Sequence, residues 1–377
     1  MRSTERDDAP TGCTMRVVIA PDSFKGSLDA AAMARAIAEG WSSVRPQDDL
    51  VLLPQADGGE GTLDAIASCH PDASWHEVRG VTGPDGRPTT GRWVVLGDGT
   101  AVIELAQMSG LPMMESLDPG GATTAGLGQV IAAALDGGAA ALTIGLGGSA
   151  STDGGAGALR ALGARLLAAD GRPVPDGGAA LADLASVDVS ALRTLPPGGV
   201  ELLTDTTAPL CGPSGAAHVF GPQKGADAVM VEYLDAALRG FARCLGVSAP
   251  GDPDRPGAGG AGGTGFGLSS WGGQLVPGAR RIADLTGLSA EFGRAHVVVT
   301  GEGRFDRTSM TGKVVGAALE GCAVTSTRSV VVAGQLAAAP PDVGLSLTEL
   351  AGSPEAALGE TESWGRAAGA AAAAQFR

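Results

Sequence analysis

Carboxylates, lysines and hydroxyls recur beside glycines wherever an apolar run ends in this chain. The densest case is "GLGGSASTDGGAGALRALG", residues 145–163, in which Gly147, Gly148, Ser149, Ser151, Thr152 and Asp153 lie between an apolar stretch and a helical pattern. Successive backbone N–H groups ahead of a helix make an anion site, to which hydroxyls add donors. Asp153 reads as the cap of that helix. The loop is no Walker A motif, since no G-K-[ST] follows its glycines. It does contain G-x-G-x-x-A as Gly145, Gly147 and Ala150, with Asp170 ending the next apolar run, so NAD binding by an oxidoreductase is the competing reading.

The other loops carry charge. "PDSFKGS" offers Asp22, Ser23 and Lys25, and "QADGGEGT" sets Asp57 and Glu60 around glycines, a hook of the type that holds Mg²⁺ through one or two carboxylates and water. "LLTDTTAP" presents Asp205, and "TGEGRFDRTSMTGK" presents Glu302, Arg304, Asp306 and Lys313 after a further strand-like run. Each alone reads equally as a solvated turn or an ion pair. Together, carboxylates for a metal, cations for phosphate charge and a hydroxyl-rich loop are the parts that phosphoryl transfer requires. Only three of the 26 basic residues are lysines, Lys25, Lys224 and Lys313, each in a glycine-flanked loop where a compact charge on a flexible stem suits a phosphate. Acyl transfer lacks a G-x-S-x-G elbow, and His70, His76, His218 and His296 have no metal-ligand spacing. Five scattered cysteines read as reduced thiols.

These loops need a scaffold that brings strand ends together. "RVVIAPDSFKG" followed by "SLDAAAMARAIAEGW", with Ser27 as helix cap, is strand, loop, helix; "DLVLLPQADGGEGTLDAIAS" and "HVVVTGEGRFDRTSMTGKVVGAAL" repeat the unit. Residues 76–106 break it with three short strand-like runs joined by G-P-D-G and G-D-G turns, an antiparallel meander. Gly263–Gly267, in a glycine-dense connection, suits close approach of backbone to a ligand. The expected fold is α/β in two domains: a discontinuous Rossmann-like parallel-sheet domain, 15–75 and 290–377, with an inserted mixed-sheet domain, 76–289, and the active site in the cleft between them. Residues 1–14 are polar and patternless, a disordered extension, and Met15 is an alternative start.

The 377 residues, 44% hydrophobic and 18% charged, suit two domains of a soluble protein. A net charge of −15 argues against nucleic acid as partner, since that affinity rests on Lys and Arg neutralising phosphates. No run approaches the roughly 20 apolar residues of a membrane span, and the first residues lack a signal's apolar core, so a cytoplasmic location is expected.

In order, "VVIAPDSFKGSL", "PQADGGEGT", "VTGPDGRP", "IGLGGSASTDGGAGALRALG", "VFGPQKGA" and "VTGEGRFDRTSMTGK" closely resemble the bacterial glycerate kinase family of the non-P-loop type, from Met15 to the last helix. The resemblance implies ATP- and Mg²⁺-dependent phosphorylation of D-glycerate, giving 2-phosphoglycerate, by two α/β domains. On that reading Gly147–Asp153 cradles nucleotide phosphates, and Asp57, Glu60, Glu302 and Asp306 are the metal ligands. Asp22, Ser23 and Lys25 face the substrate, Lys25 taking its carboxylate or the γ-phosphate. Asp205 is the base on the acceptor hydroxyl, and Lys313 or Arg304 meets transferred charge. Spacing alone does not separate base from metal ligand, and a homodimer is left open. Two departures stand out: Ala208 where the family has Asn after Asp205, and Asp306-Arg307-Thr308 where it has Asp-x-Gln. They keep a third reading open, a glycerate- or nucleotide-sensing protein without turnover.

Overall fold

The computed structural model describes residues 14–249, 251–310 and 313–376. The expected disordered extension lies, but for Thr14, outside the described residues. Among them the strands are β1 (Arg16–Pro21), β2 (Asp49–Leu52), β3 (Ser74–Thr82), β4 (Pro88–Val95), β5 (Thr100–Glu104), β6 (Ala141–Gly145), β7 (Arg165–Ala168), β8 (Leu184–Asp188), β9 (Val200–Leu203), β10 (Gln274–Val276), β11 (Val297–Phe305), β12 (Arg328–Leu336) and β13 (Val343–Ser346). They fall into two compact units, one built from residues 14–54, 287–310 and 315–376, the other from 55–286 with Lys313 and Val314.

The first unit holds a five-stranded, all-parallel sheet in the order β13-β12-β11-β1-β2. Its central strands are uninterrupted apolar runs because both faces are covered: Val17, Val18 and Ile19 of β1 and Val298 and Val299 of β11 have no exposed surface. The helices Ala30–Val44 and Thr361–Ala374 pack closely on each other, the first contributing Met33, Ile37 and Trp41 to the core. Asp29, not Ser27, caps the first helix: its carboxylate accepts from Ala32 N at 2.7 Å, whereas Ser27 Oγ donates to Phe24 O at 2.9 Å within the preceding turn.

The second unit is built on a six-stranded mixed sheet, β10-β9-β6-β5-β4-β3. From β10 to β5 the pairing is parallel, and β4 and β3 continue it antiparallel, which is the expected meander. The helix Thr62–Cys69 follows β2 in sequence but packs on β4 and β5, where Leu63 and Ile66 join Val94, Val102 and Leu203. Residues 55–75 therefore group with this second unit. The glycine-dense connection holds a helix, Thr264–Trp271, whose Gly263 and Gly267 press on Gly154 backbone inside the core. Gly263–Gly267 thus serve packing, and it is Gly260 and Ala261 just before them that reach a cavity. An α/β fold with one parallel and one mixed sheet is as the sequence led us to expect.

Candidate active site

In open parallel sheets ligands gather beyond the carboxyl ends of the strands. In the second unit the loops after β6 and β9, with the Asp57–Glu60 loop, enclose a cavity of ≈ 400 Å³ there. Asp57, Glu60, Gly147, Gly148, Ser149, Asp205 and Lys224 all line it. The loops are fastened to one another through backbone: Gly147 N donates to Gly58 O at 2.9 Å and Leu146 N to Leu203 O at 3.2 Å. Asp57 Oδ1 accepts from Gly59 N at 3.0 Å, fixing the hook. Behind it the buried carboxylate of Glu104, last residue of β5, accepts from Leu63 N at 3.1 Å and Gly61 N at 3.4 Å, at the start of the helix Thr62–Cys69. Burial raises the Glu104 carboxyl above its ordinary range against those donors. The sequence reading missed Glu104, although a lone acid closing the apolar run "TAVIE" was its signal.

Asp205 leaves β9 facing the cavity. Its Oδ1 accepts from Gly278 N at 2.8 Å and its Oδ2 from Ala279 N at 3.2 Å, at the start of the helix Gly278–Thr286. Loss of solvation, aided by the charge of Asp57, outweighs these donors and pushes the Asp205 carboxyl up to about 6. A carboxylate so poised is suited to accept a proton near neutral pH. Ala208, where the resemblance had Asn, is buried, and its N–H donates to Thr206 Oγ1 at 3.1 Å.

The hydroxyl-rich loop divides at Ser149. Gly147, Gly148 and Ser149 face the cavity, whereas Ser151, Thr152 and Asp153 have no exposed surface. Asp153 therefore does not reach a phosphate. Its Oδ2 accepts from Thr124 N (2.9 Å), Thr124 Oγ1 (2.8 Å) and Gly157 N (3.2 Å), and its Oδ1 from Gly155 N (3.1 Å). It pins the starts of the helices Ala125–Asp136 and Ala156–Ala161, and burial raises its carboxyl. The second of these helices has only six residues and is buried at its start, so it offers no exposed N-terminus behind the loop. The Ser151 and Thr152 hydroxyls are buried without a hydrogen-bond partner among the described residues.

Lys224, left out of the site by the sequence reading despite being one of three lysines, is buried at the cavity wall. Its Nζ donates to Ser149 Oγ at 2.9 Å and to Ser151 O at 2.5 Å. Burial lowers its amine to about 7, and only the charge of Asp153 opposes this. The NAD reading loses its context here. Asp170 is exposed in the turn between β7 and the residues that lead to β8, strands that form an antiparallel ribbon, where the fingerprint requires a parallel βαβ unit.

In the first unit, Asp22 and Ser23 follow β1, Asp22 Oδ1 accepting from Ser23 N at 2.6 Å, and Lys25 is exposed. Glu302 and Arg304 lie on β11 itself rather than after it, because pairing with β12 continues to Phe305–Leu336. Asp306 follows that strand and accepts from Thr308 N at 2.8 Å and Thr308 Oγ1 at 2.7 Å. Thr308, the second departure, thus holds Asp306 in a turn. Lys313 is exposed. Among the described residues no three carboxylate, imidazole or thiol side chains form a ready metal cage.

Comparison with known proteins gives the family of the chain. The model of the glycerate kinase family matches residues 17–373. The chain belongs to the glycerate kinase family. It is 42% identical over 306 residues to a glycerate 2-kinase of Escherichia coli K12, spanning 80% of each chain. To a glycerate kinase of Bacillus subtilis 168 it is 44% identical over 311 residues, 79% of each. A crystal structure from Salmonella typhimurium LT2, described as a candidate glycerate kinase 2, superposes with a TM-score of 0.85 at 38% identity, covering 96% of this chain and 98% of that one. As a member of the glycerate kinase family the protein is an enzyme. No helix among the described residues is long and apolar enough to cross a membrane.

Proposed function

We propose that this glycerate kinase family member transfers the γ-phosphoryl group of ATP to the 2-hydroxyl of D-glycerate in the cytoplasm, releasing ADP and 2-phosphoglycerate. The supporting observation is the cavity in which Asp57, Glu60 and Asp205 face Gly147, Gly148, Ser149 and a buried lysine. The nucleotide phosphates take the Gly147–Ser149 wall. Asp57 and Glu60 are hard oxygen donors, and the upward push that Asp57 exerts on Asp205 is one that a divalent cation beside them relieves. Asp57 and Glu60 would hold Mg²⁺ there, and its charge would offset that of the phosphates. Glu302 and Asp306 remain proposed further ligands.

Asp205 Oδ accepts the proton of the attacking hydroxyl, its carboxylate held in place by the N–H groups of Gly278 and Ala279. Lys25, with Asp22 and Ser23, is proposed to hold the substrate carboxylate or the γ-phosphate, and Arg304 or Lys313 to meet charge on the transferred group. The test is ADP release from purified protein with ATP, Mg²⁺ and D-glycerate, against L-glycerate and acceptor-free controls. The phosphorus-coupled carbon of the product separates 2- from 3-phosphoglycerate. Ligand-induced stabilisation with no ADP released would instead make the protein a sensor.

A further inference from the structure

Lys224 sits where a lysine is hard to place without a reason. It ends a single 3₁₀ turn, Pro222–Lys224, which Pro222 starts and Gly225 stops in a left-handed conformation (φ 96°). A Cβ on Gly225 would also meet Leu117 Cβ at 2.9 Å, so backbone and packing together fix where the Lys224 side chain starts. Its amine is buried, yet its direct contacts are neutral oxygens, Ser149 Oγ and Ser151 O. A buried ammonium without a counter-ion is costly. The charged groups around it are Asp153 beneath the loop, which acts through space, and Asp57, Glu60 and Asp205 on the cavity wall.

We propose that Lys224 is the residue that binds the anionic phosphate oxygens of the nucleotide in this cavity, its ammonium meeting them beside Ser149 and Gly148. The proposal rests on the kinase reading above and adds the group that recognises the donor. A compact ammonium three donors wide suits a phosphate oxygen, and the Ser149 hydroxyl to which it donates lies on the same wall to supply a second donor. Because the amine is lowered to about 7 in the free protein, arrival of the anion draws a proton from solvent onto Nζ at pH 8, and departure returns it.

Three lysines make the test direct. In protein labelled at the lysine side chains, with signals assigned through K25R and K313R, Lys224 is expected to titrate near 7 in the free protein. With saturating sodium tripolyphosphate its midpoint is expected to rise by about one unit or more, a tenfold or greater preference for the charged form. K224M is expected to raise the KM for ATP by about 10- to 100-fold, the range of a charge-assisted hydrogen bond, with the KM for D-glycerate within about twofold. Tripolyphosphate that binds while the Lys224 signal stays unmoved overturns the proposal and leaves the kinase reading standing. A rise confined to the D-glycerate KM overturns it too, by assigning Lys224 to the acceptor carboxylate. If K224M does not fold, the titration of the unaltered protein decides alone. If neither tripolyphosphate nor ADP binds the unaltered protein, the kinase reading fails first and this proposal with it.

Discussion

Asp205 shows how one side chain is tuned by what surrounds it. Two helix-start N–H groups favour its charged form, while loss of solvation and Asp57 disfavour it more, leaving a carboxyl that titrates at about 6 instead of its ordinary 3.8. Two consequences follow with opposite signs. As a base it must be ionised, so kcat/KM should fall as pH drops into the acid range, and D205N should lower kcat by about 10²- to 10⁴-fold with the KM for ATP little changed. For stability, a carboxyl raised in the folded state contributes fully below about 4 and loses that contribution as pH rises through about 6. Melting temperatures of D205N and the unaltered protein between pH 4 and 8 should therefore diverge, the variant gaining relative to the parent as pH rises. A D205N protein that turns over normally would remove Asp205 from the chemistry. Asp57 and Asp205 were legible in the sequence because each closes an apolar run. The effect of Asp57 on Asp205 was not, since it depends on two loops 148 residues apart meeting.

At the scale of the element, that meeting is made by backbone. A Cβ on Gly147 would lie 2.5 Å from Gly59 Cα, so the loop after β6 and the Asp57–Glu60 hook touch only because no side chain stands between them. G147A should push the two apart, costing about 1–3 kcal/mol in urea unfolding and about 10²-fold in kcat/KM. If stability falls and kcat/KM does not, the spacing of the two loops is irrelevant to turnover. The strand-loop-helix grammar and the meander were legible from apolar runs and turn residues. Three features were not, each for a physical reason. The extension of β11 through Glu302 and Arg304 comes from its partner β12, not from its own polar sequence. The division of the hydroxyl loop at Ser149 comes from burial, which Ser, Thr and Asp do not advertise. Lys224 enters the site from an element 75 residues beyond Ser149, and only its rarity and its glycine-flanked loop hinted at it.

The molecule as a whole carries a net charge of −15, so on the kinase reading its cations work through placement rather than number. The same economy joins the distant ends of the chain in the first unit. Asp48 is shielded from solvent and accepts from Arg45 Nε at 2.7 Å, Trp41 Nε1 at 2.9 Å and Met15 N at 3.1 Å, while Arg45 reaches on to Phe376 O at 2.8 Å. Burial works against the Asp48 charge, yet the donors from Arg45, Trp41 and Met15 win and hold its carboxyl below 3.8. Its stabilisation is therefore present above about pH 4 and lost as pH falls below that. D48A removes the carboxylate of a shielded ion pair while Arg45 keeps its bond to Phe376 O, a loss that typically costs about 3–5 kcal/mol. The loss should appear in thermal or urea unfolding at pH 7 and shrink as pH is lowered into the acid range. Asp48 does not line the cavity, so D48A assayed well below its own melting temperature should retain the kcat of the unaltered protein. A D48A protein as stable as its parent would mean that the parallel sheet and the helices Ala30–Val44 and Thr361–Ala374 hold the two ends together without this pair.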